Sequence, residues 1–211
     1  MKHSRMYFGI AALLAAFLSG CATQGPILLD FQYQPPQNVS AGAAIVTLGV
    51  SPFRDGRGKV ASVIGKRSLE SSDEMNDLVV QGTISEKVTA ALKSALKARG
   101  IAEKDLTAWD LTEAGIPSGG ADLLISGEIK KFWAETKSRF ANTTVKAEVQ
   151  LRISVADMAH KKIIRVVNVN SMMERQNATF STDVVENTLS DALTSAIDQI
   201  FADEELQKRL K

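Results

Sequence analysis

The clearest pattern in the chain runs from residue 145 to 155. Val145, Ala147, Val149, Leu151, Ile153 and Val155 alternate there with Lys146, Glu148, Gln150, Arg152 and Ser154. A period of two puts one set on each face of a strand, so the stretch predicts a long antiparallel strand, one face buried and one wet. After a loop at Asp157–His160, residues 163–173 read as its hairpin partner. Upstream, Leu123, Ile125, Gly127 and Ile129 alternate within another strand over residues 121–133. Residues 43–50 form a nearly unbroken apolar run, the mark of a strand covered on both faces, which Ser51-Pro52 ends. Val60, Ser62 and Ile64, ending at Gly65, suggest a short strand or ordered loop.

The period changes to 3.6 at Ile84, Val88, Ala91, Leu92, Ala95 and Leu96, with Glu86, Lys87, Lys93 and Lys97 on the opposite face. Two starts compete for this helix: Ser71 with Glu74, and Thr83 with Glu86. Apolar Leu78, Val79 and Val80 between them place its beginning near Asp77, and Gly100 ends it. Residues 101–120 read as a polar, glycine-containing loop around a short strand or turn near 106–111. A second stripe of Val185, Leu189, Ala192, Leu193, Ala196, Ile197 and Ile200 predicts a last long helix. Ser181 is its N-cap and Asp203 starts a short final helix. The order β-(β)-α-β-β-β-α predicts an α/β (α+β) fold: a two-layer sandwich with a mostly antiparallel sheet and both helices on one face. The other face, with Lys146, Glu148, Gln150 and Arg152, stays partly wet.

The N-terminus changes the picture from a plain domain to an exported one. Lys2, His3 and Arg5 precede an apolar run over residues 6–18, too short to span a bilayer as a helix but suited to a signal peptide. Leu18-Ser19-Gly20-Cys21 follows, and Cys21 is the only cysteine of the 211 residues. This is the pattern of a lipobox, with Cys21 the lipidated residue. The expected organisation is a signal peptide over residues 1–20, a lipidated tether over 21–42 and a single periplasmic domain over 43–211. The tether is rich in Gln and Pro, and about 20 extended residues could reach about 65 Å. Its apolar island of Ile27, Leu28, Leu29, Phe31 and Tyr33 suggests either an arm packed on the domain or a docking strip. Ala22 stands where Gram-negative sorting reads an Asp as an inner-membrane retention signal, which directs the protein to the outer membrane, facing the periplasm. Without residues 1–20 the chain has 23 basic residues against 24 acidic ones, which indicates neither nucleic-acid binding nor a polybasic grip on lipid.

Candidate chemistry is thin. With Cys21 consumed and His160 the one remaining histidine, metal ligation of the zinc or copper type is not expected. His160, among Asp157, Lys161 and Lys162, reads as a solvated turn residue rather than a base. Gly56 and Gly58 lack the following helix of a phosphate loop. No catalytic residue and no cofactor is expected. Arg54, Asp55 and Arg57, at a strand end with glycine hinges, are the candidate partner-binding residues. The competing reading is an Asx-turn at Asp55 with the arginines solvated or paired to it. Phe132, Trp133 and Phe140 suggest either core or an interaction patch, with core favoured.

The lipobox, the strand running into Pro52-Phe53-Arg54-Asp55-Gly56-Arg57, Ile64-Gly65, the helix ending Lys97-Ala98-Arg99-Gly100, Gly127-Glu128-Ile129 and the last helix resemble the YajG-type bacterial lipoproteins over residues 43–202. That family is largely uncharacterised, and the resemblance implies no catalytic residues. The 101–120 stretch departs from it. The expectation is a non-enzymatic outer-membrane lipoprotein, held in the membrane by its N-terminal lipid, whose periplasmic domain binds an envelope protein or self-associates. The alternative is a lipid- or glycan-binding auxiliary lipoprotein of an envelope transport system.

Overall fold

The computed structural model describes residues 25–36, 46–72 and 75–210; Cys21 and the signal segment lie outside them. The strands are β1 (Ile27–Leu29), β2 (Leu48–Val50), β3 (Arg54–Asp55), β4 (Val63–Leu69), β5 (Met75–Val80), β6 (Glu103–Asp105), β7 (Leu123–Arg139), β8 (Asn142–Asp157) and β9 (Lys162–Asn177). The helices are α1 (Ile84–Ala98), α2 (Thr182–Phe201) and α3 (Glu204–Leu210). All nine strands join one sheet, and α1 and α2 pack against each other and against it, giving the α+β sandwich that the pattern predicts.

β7, β8 and β9 form an antiparallel meander. The alternation of β8 is realised residue by residue: Val145, Ala147, Val149, Leu151 and Ile153 are buried against the helices. Fully burying such a side chain contributes about 1.5–3 kcal/mol. On its other side β7 accepts β4 along Ala134–Ser138 and β2 and β3 along Leu123–Ile129, all in parallel register. β1 extends this side beyond β5. These parallel pairs join segments far apart in sequence, so no local pattern announces them.

Helix α1 does not begin near Asp77. Residues 75–80 are β5, the antiparallel partner of β4, with Asn76, Leu78 and Val80 buried and Met75 and Asp77 exposed. Gly82 turns the chain at φ +79°, and Thr83 is the N-cap. Its hydroxyl accepts from the Glu86 N–H at 3.2 Å while the Glu86 carboxylate accepts from the Thr83 N–H at 2.8 Å. This reciprocal pair overrides the apolar run before it. The final short helix starts as expected, with Asp203 Oδ1 accepting from the Leu206 N–H at 3.0 Å.

The described part of the tether is built into the domain. Leu29, Phe31 and Tyr33 are buried, and Phe31 stacks on Phe132 with centroids 5.1 Å apart. The arm runs along α2, its N–H groups at Asp30, Gln32 and Gln34 donating to Glu186, Ser190 and Thr194. The 106–121 loop folds over the opposite sheet face. There Trp109 and Ile116 close a small second core with Leu124, Ala156 and Met158. No helix among the described residues is long and apolar enough to cross a membrane.

Candidate functional site

β3 reaches the sheet through Ser51-Pro52-Phe53. Phe53 is buried, and its N–H donates to Thr89 Oγ1 at 3.0 Å, which fixes where the following charged residues emerge. Asp55 then makes the Asx-turn: its Oδ1 accepts from the Arg57 N–H at 3.1 Å. The Arg57 guanidinium returns to the same carboxylate, Nε to Oδ1 and Nη2 to Oδ2, both at 2.8 Å. Its remaining donors end on carbonyls: Nη2 on Ala61 at 3.1 Å, Nη1 on Val63 at 2.8 Å and on Phe132 at 3.3 Å. All five N–H groups of a guanidinium are thereby engaged, and the side chain is 3% exposed. Hydrogen bonding to Arg57, opposed by burial, holds the Asp55 carboxyl below the usual range.

Of the three residues expected to take a partner, Arg54 alone faces solvent, with a side chain 58% exposed. It lies 3.3 Å from Glu128, which also takes Lys130 at 2.7 Å. These two cations, Lys130 more than Arg54, hold the Glu128 carboxyl below its ordinary range. A bulge between Ile129 and Lys131 explains why both Lys130 and Lys131 are exposed. Lys131 reaches Glu148 on β8 at 2.5 Å, and Gln150 donates to the same carboxylate at 2.6 Å.

Trp133 sits beside this network, half-buried, with Lys59 Nζ 5.5 Å from its ring centroid. A small cleft of about 110 Å³ separates Trp133 from Arg57, Lys59 and Lys130. The aromatic expectation thus divides: Phe132 is core, Trp133 is half-open and Phe140 is wholly exposed at the β7–β8 turn. Core burial was the wrong reading for Phe140, which has no neighbouring layer to cover it.

His160 is at the far turn, where its Nδ1 lies 2.9 Å from Asp157 Oδ2. Among the described residues no group of three or more His, Cys, Asp or Glu side chains could hold a metal ion. The carboxylates of the site, Asp55, Glu128 and Glu148, are each held in ion pairs.

Sequence reasoning missed the lock on the arm. Tyr33 O–H donates to Asp198 at 2.7 Å, Arg99 Nη1 donates to the Tyr33 oxygen at 2.8 Å, and Arg99 Nη2 reaches Asp198 at 2.8 Å. Burial raises the Tyr33 pKa above its ordinary value. The polar end of an otherwise apolar island was the only local sign of this triad.

A model of a family described as uncharacterised lipoprotein matches residues 55–211. No curated protein matches the sequence. Among solved structures, a protein from Xanthomonas campestris superposes with TM-score 0.55 at 11% identity, covering 82% of this chain and 90% of its own. A protein from Helicobacter pylori, described as a neuraminyllactose-binding hemagglutinin homologue, gives TM-score 0.47 at 9% identity, covering 86% of this chain and 96% of its own. At these identities the likeness is one of fold.

Proposed function

Because the chain belongs to this family of uncharacterised lipoproteins, we propose that it is a non-enzymatic adaptor of the YajG type. It is anchored through lipid on Cys21 in the outer membrane, faces the periplasm, and binds an envelope protein or a second copy of itself. The observation that carries the reading is Trp133, half-buried on the sheet face away from α1 and α2, beside a cleft lined by Arg57, Lys59, Lys130 and Lys131, with Arg54 linked to Lys130 through Glu128. A rigid, partly open tryptophan is the kind of residue that anchors a binding hot spot, and the lysines around it supply a charged rim. Its partner would present an apolar group rimmed by carboxylates. Arg57 and Asp55 hold the loop that displays Arg54 and do not themselves meet the partner.

What favours this reading over a lipid- or glycan-binding auxiliary is that, among the described residues, side chains such as Ile64, Leu92, Phe132, Leu151 and Leu193 fill the layer between helices and sheet. A photo-crosslinking residue at Trp133 in the native envelope tests the proposal, with His160 as the control position. One crosslinked species of defined mass, lost on Arg54→Glu, is expected at 133 and absent at 160. Equal crosslinking at both positions, or none at 133, would overturn it.

A further inference from the structure

The start of β1 and the tip of the β7–β8 hairpin leave the sheet in the same direction. Ile27 pairs with Leu78, Leu78 with Gly65, and Gly65 with Ala134, so Ile27 and Ala134 share one rung. β1 is parallel to β5, β5 antiparallel to β4, and β4 parallel to β7. β1 therefore enters the sheet from the end toward which β7 advances to its turn. Cys21 lies six residues before Ile27, and Phe140 six residues after Ala134. At about 3.3 Å per residue, Phe140 lies about 20 Å past the shared rung, and six residues let the Cys21 position lie at most about 20 Å from Ile27. Three strand spacings, about 14 Å, separate Ile27 from Ala134 sideways.

Phe140 is exposed over its whole side chain, at 101%. It occupies a two-residue turn with Ala141, whose φ is +53°, between the paired residues Arg139 and Asn142. Met75, 64% exposed, lies at the same end, level with Ser68 and, through it, with Lys137. Lys137 and Arg139 pair there with Glu135 and Glu70 at 3.0 and 3.1 Å, so the end has no net attraction for anionic lipid. What it offers a membrane is apolar surface at the height to which a short leash brings the bilayer.

We propose that Phe140 is a second membrane contact, entering the headgroup–acyl boundary of the leaflet that holds the lipid on Cys21. The inference rests on the anchor proposed above. The docked arm makes it possible: with Ile27–Pro36 built into the domain, the leash is at most about 20 Å long rather than about 65 Å. The two contacts stand the strands upright on the membrane. Trp133, seven residues back from Phe140, is then held about 23 Å above the tip.

The test uses the full lipidated chain in vesicles of phosphatidylethanolamine and phosphatidylglycerol carrying a headgroup-proximal spin-labelled lipid. With Cys21 in thioether linkage, Asn142→Cys or His160→Cys supplies the sole thiol for a polarity-sensitive fluorophore. These positions lie at opposite ends of β8, about 50 Å apart. Quenching several-fold stronger at 142 than at 160 is expected, falling to the level of 160 when Phe140→Ser is added. Phe140→Ser should leave thermal unfolding unchanged, since the side chain packs on nothing. If the protein floats with the vesicles but 142 is quenched no more than 160, or if Phe140→Ser leaves quenching at 142 intact, the tip contact is overturned and the anchor stands. Failure to float would overturn both.

Discussion

Asp55 and Arg57 face each other through two 2.8 Å hydrogen bonds, and the guanidinium continues inward to three backbone carbonyls. The fork spans the gap along β7 between the β3 ladder, at Asp55–Ile129, and the β4 ladder, which begins at Gly65–Ala134. Removing it would take the guanidinium donors from a largely buried carboxylate and from the Val63 and Phe132 carbonyls, while the Ala61 carbonyl keeps the Ile84 N–H. Arg57→Ala should therefore cost about 3–5 kcal/mol. Arg57→Lys should recover only part of this, because an ammonium has three donors and no fork. Arg54→Ala, two residues away and exposed, should stay within about 0.5 kcal/mol. Urea unfolding of the three variants separates a structural arginine from a displayed one.

The same pair gives the acid side of the stability curve a sign. The Asp55 carboxyl is lowered by its hydrogen bonds to Arg57, so its folded pKa lies below its unfolded one. Its contribution is fully present above the ordinary Asp value of about 3.9 and is lost as pH falls through the folded value. Asp55→Asn should accordingly be less stable than the parent at neutral pH, with the gap narrowing below pH 4. A gap that stayed constant through the acid range would mean that the charge of Asp55 is not what the fold uses.

The arm at residues 27–36 makes a claim about where the domain begins. Phe31 stacks on Phe132, and Tyr33 closes a triad with Arg99 and Asp198. Phe31→Ala should cost about 3–5 kcal/mol as a cavity facing Phe132. Tyr33→Phe, which removes one hydroxyl but leaves Arg99 on Asp198, should cost about 1 kcal/mol. A chain beginning at residue 43 should unfold at clearly lower urea than one beginning at 25; equal midpoints would return the arm to the status of a free tether.

Gly65 sets how closely β4 can approach β7. A Cβ there would lie 2.2 Å from the Ala134 carbonyl oxygen, a backbone atom that cannot swing aside. Gly65→Ala should destabilise by about 1–3 kcal/mol, while Gly58→Ala meets no atom within 4 Å but sits at φ +64°. The two substitutions separate steric clash from backbone strain: a Gly65→Ala protein with parental stability would mean that the strands can part without loss.

What the sequence made legible was what one element states about itself. β8 announces its buried face by alternation, and α1 and α2 announce theirs by stripes, because each face meets a single broad layer. The start of α1 was misread because Leu78, Val79 and Val80 are contiguous, and only the Gly82 turn and the Thr83–Glu86 pair show the break. The Asx-turn and the Asp55–Arg57 pair were one of the two readings of that loop, but the burial of Arg57 was not legible, because its acceptor, the Phe132 carbonyl, is 75 residues away. That the arm packs on the domain was one of the two readings its apolar residues offered, but its polar lock was not legible, since Arg99 and Asp198 lie 66 and 165 residues from Tyr33. Contacts between distant segments leave no period to read.

Membrane retention finally separates the anchor from everything the fold contributes. Several acyl chains at one residue add about 0.8 kcal/mol for each buried CH₂, far more than any side chain of this domain supplies. Phe140 alone could offer about 2–3 kcal/mol, short of the 4.1 kcal/mol that corresponds to a millimolar constant. Cys21→Ser should thus release the protein fully into the soluble fraction, even with the hairpin tip intact. Its thermal midpoint should match that of the parent domain, because Cys21 precedes the first docked residue, Ile27. Cell fractionation with metabolic palmitate labelling reads both points. Persistence of the Cys21→Ser protein with the outer membrane would show that protein contacts, not lipid, hold it there.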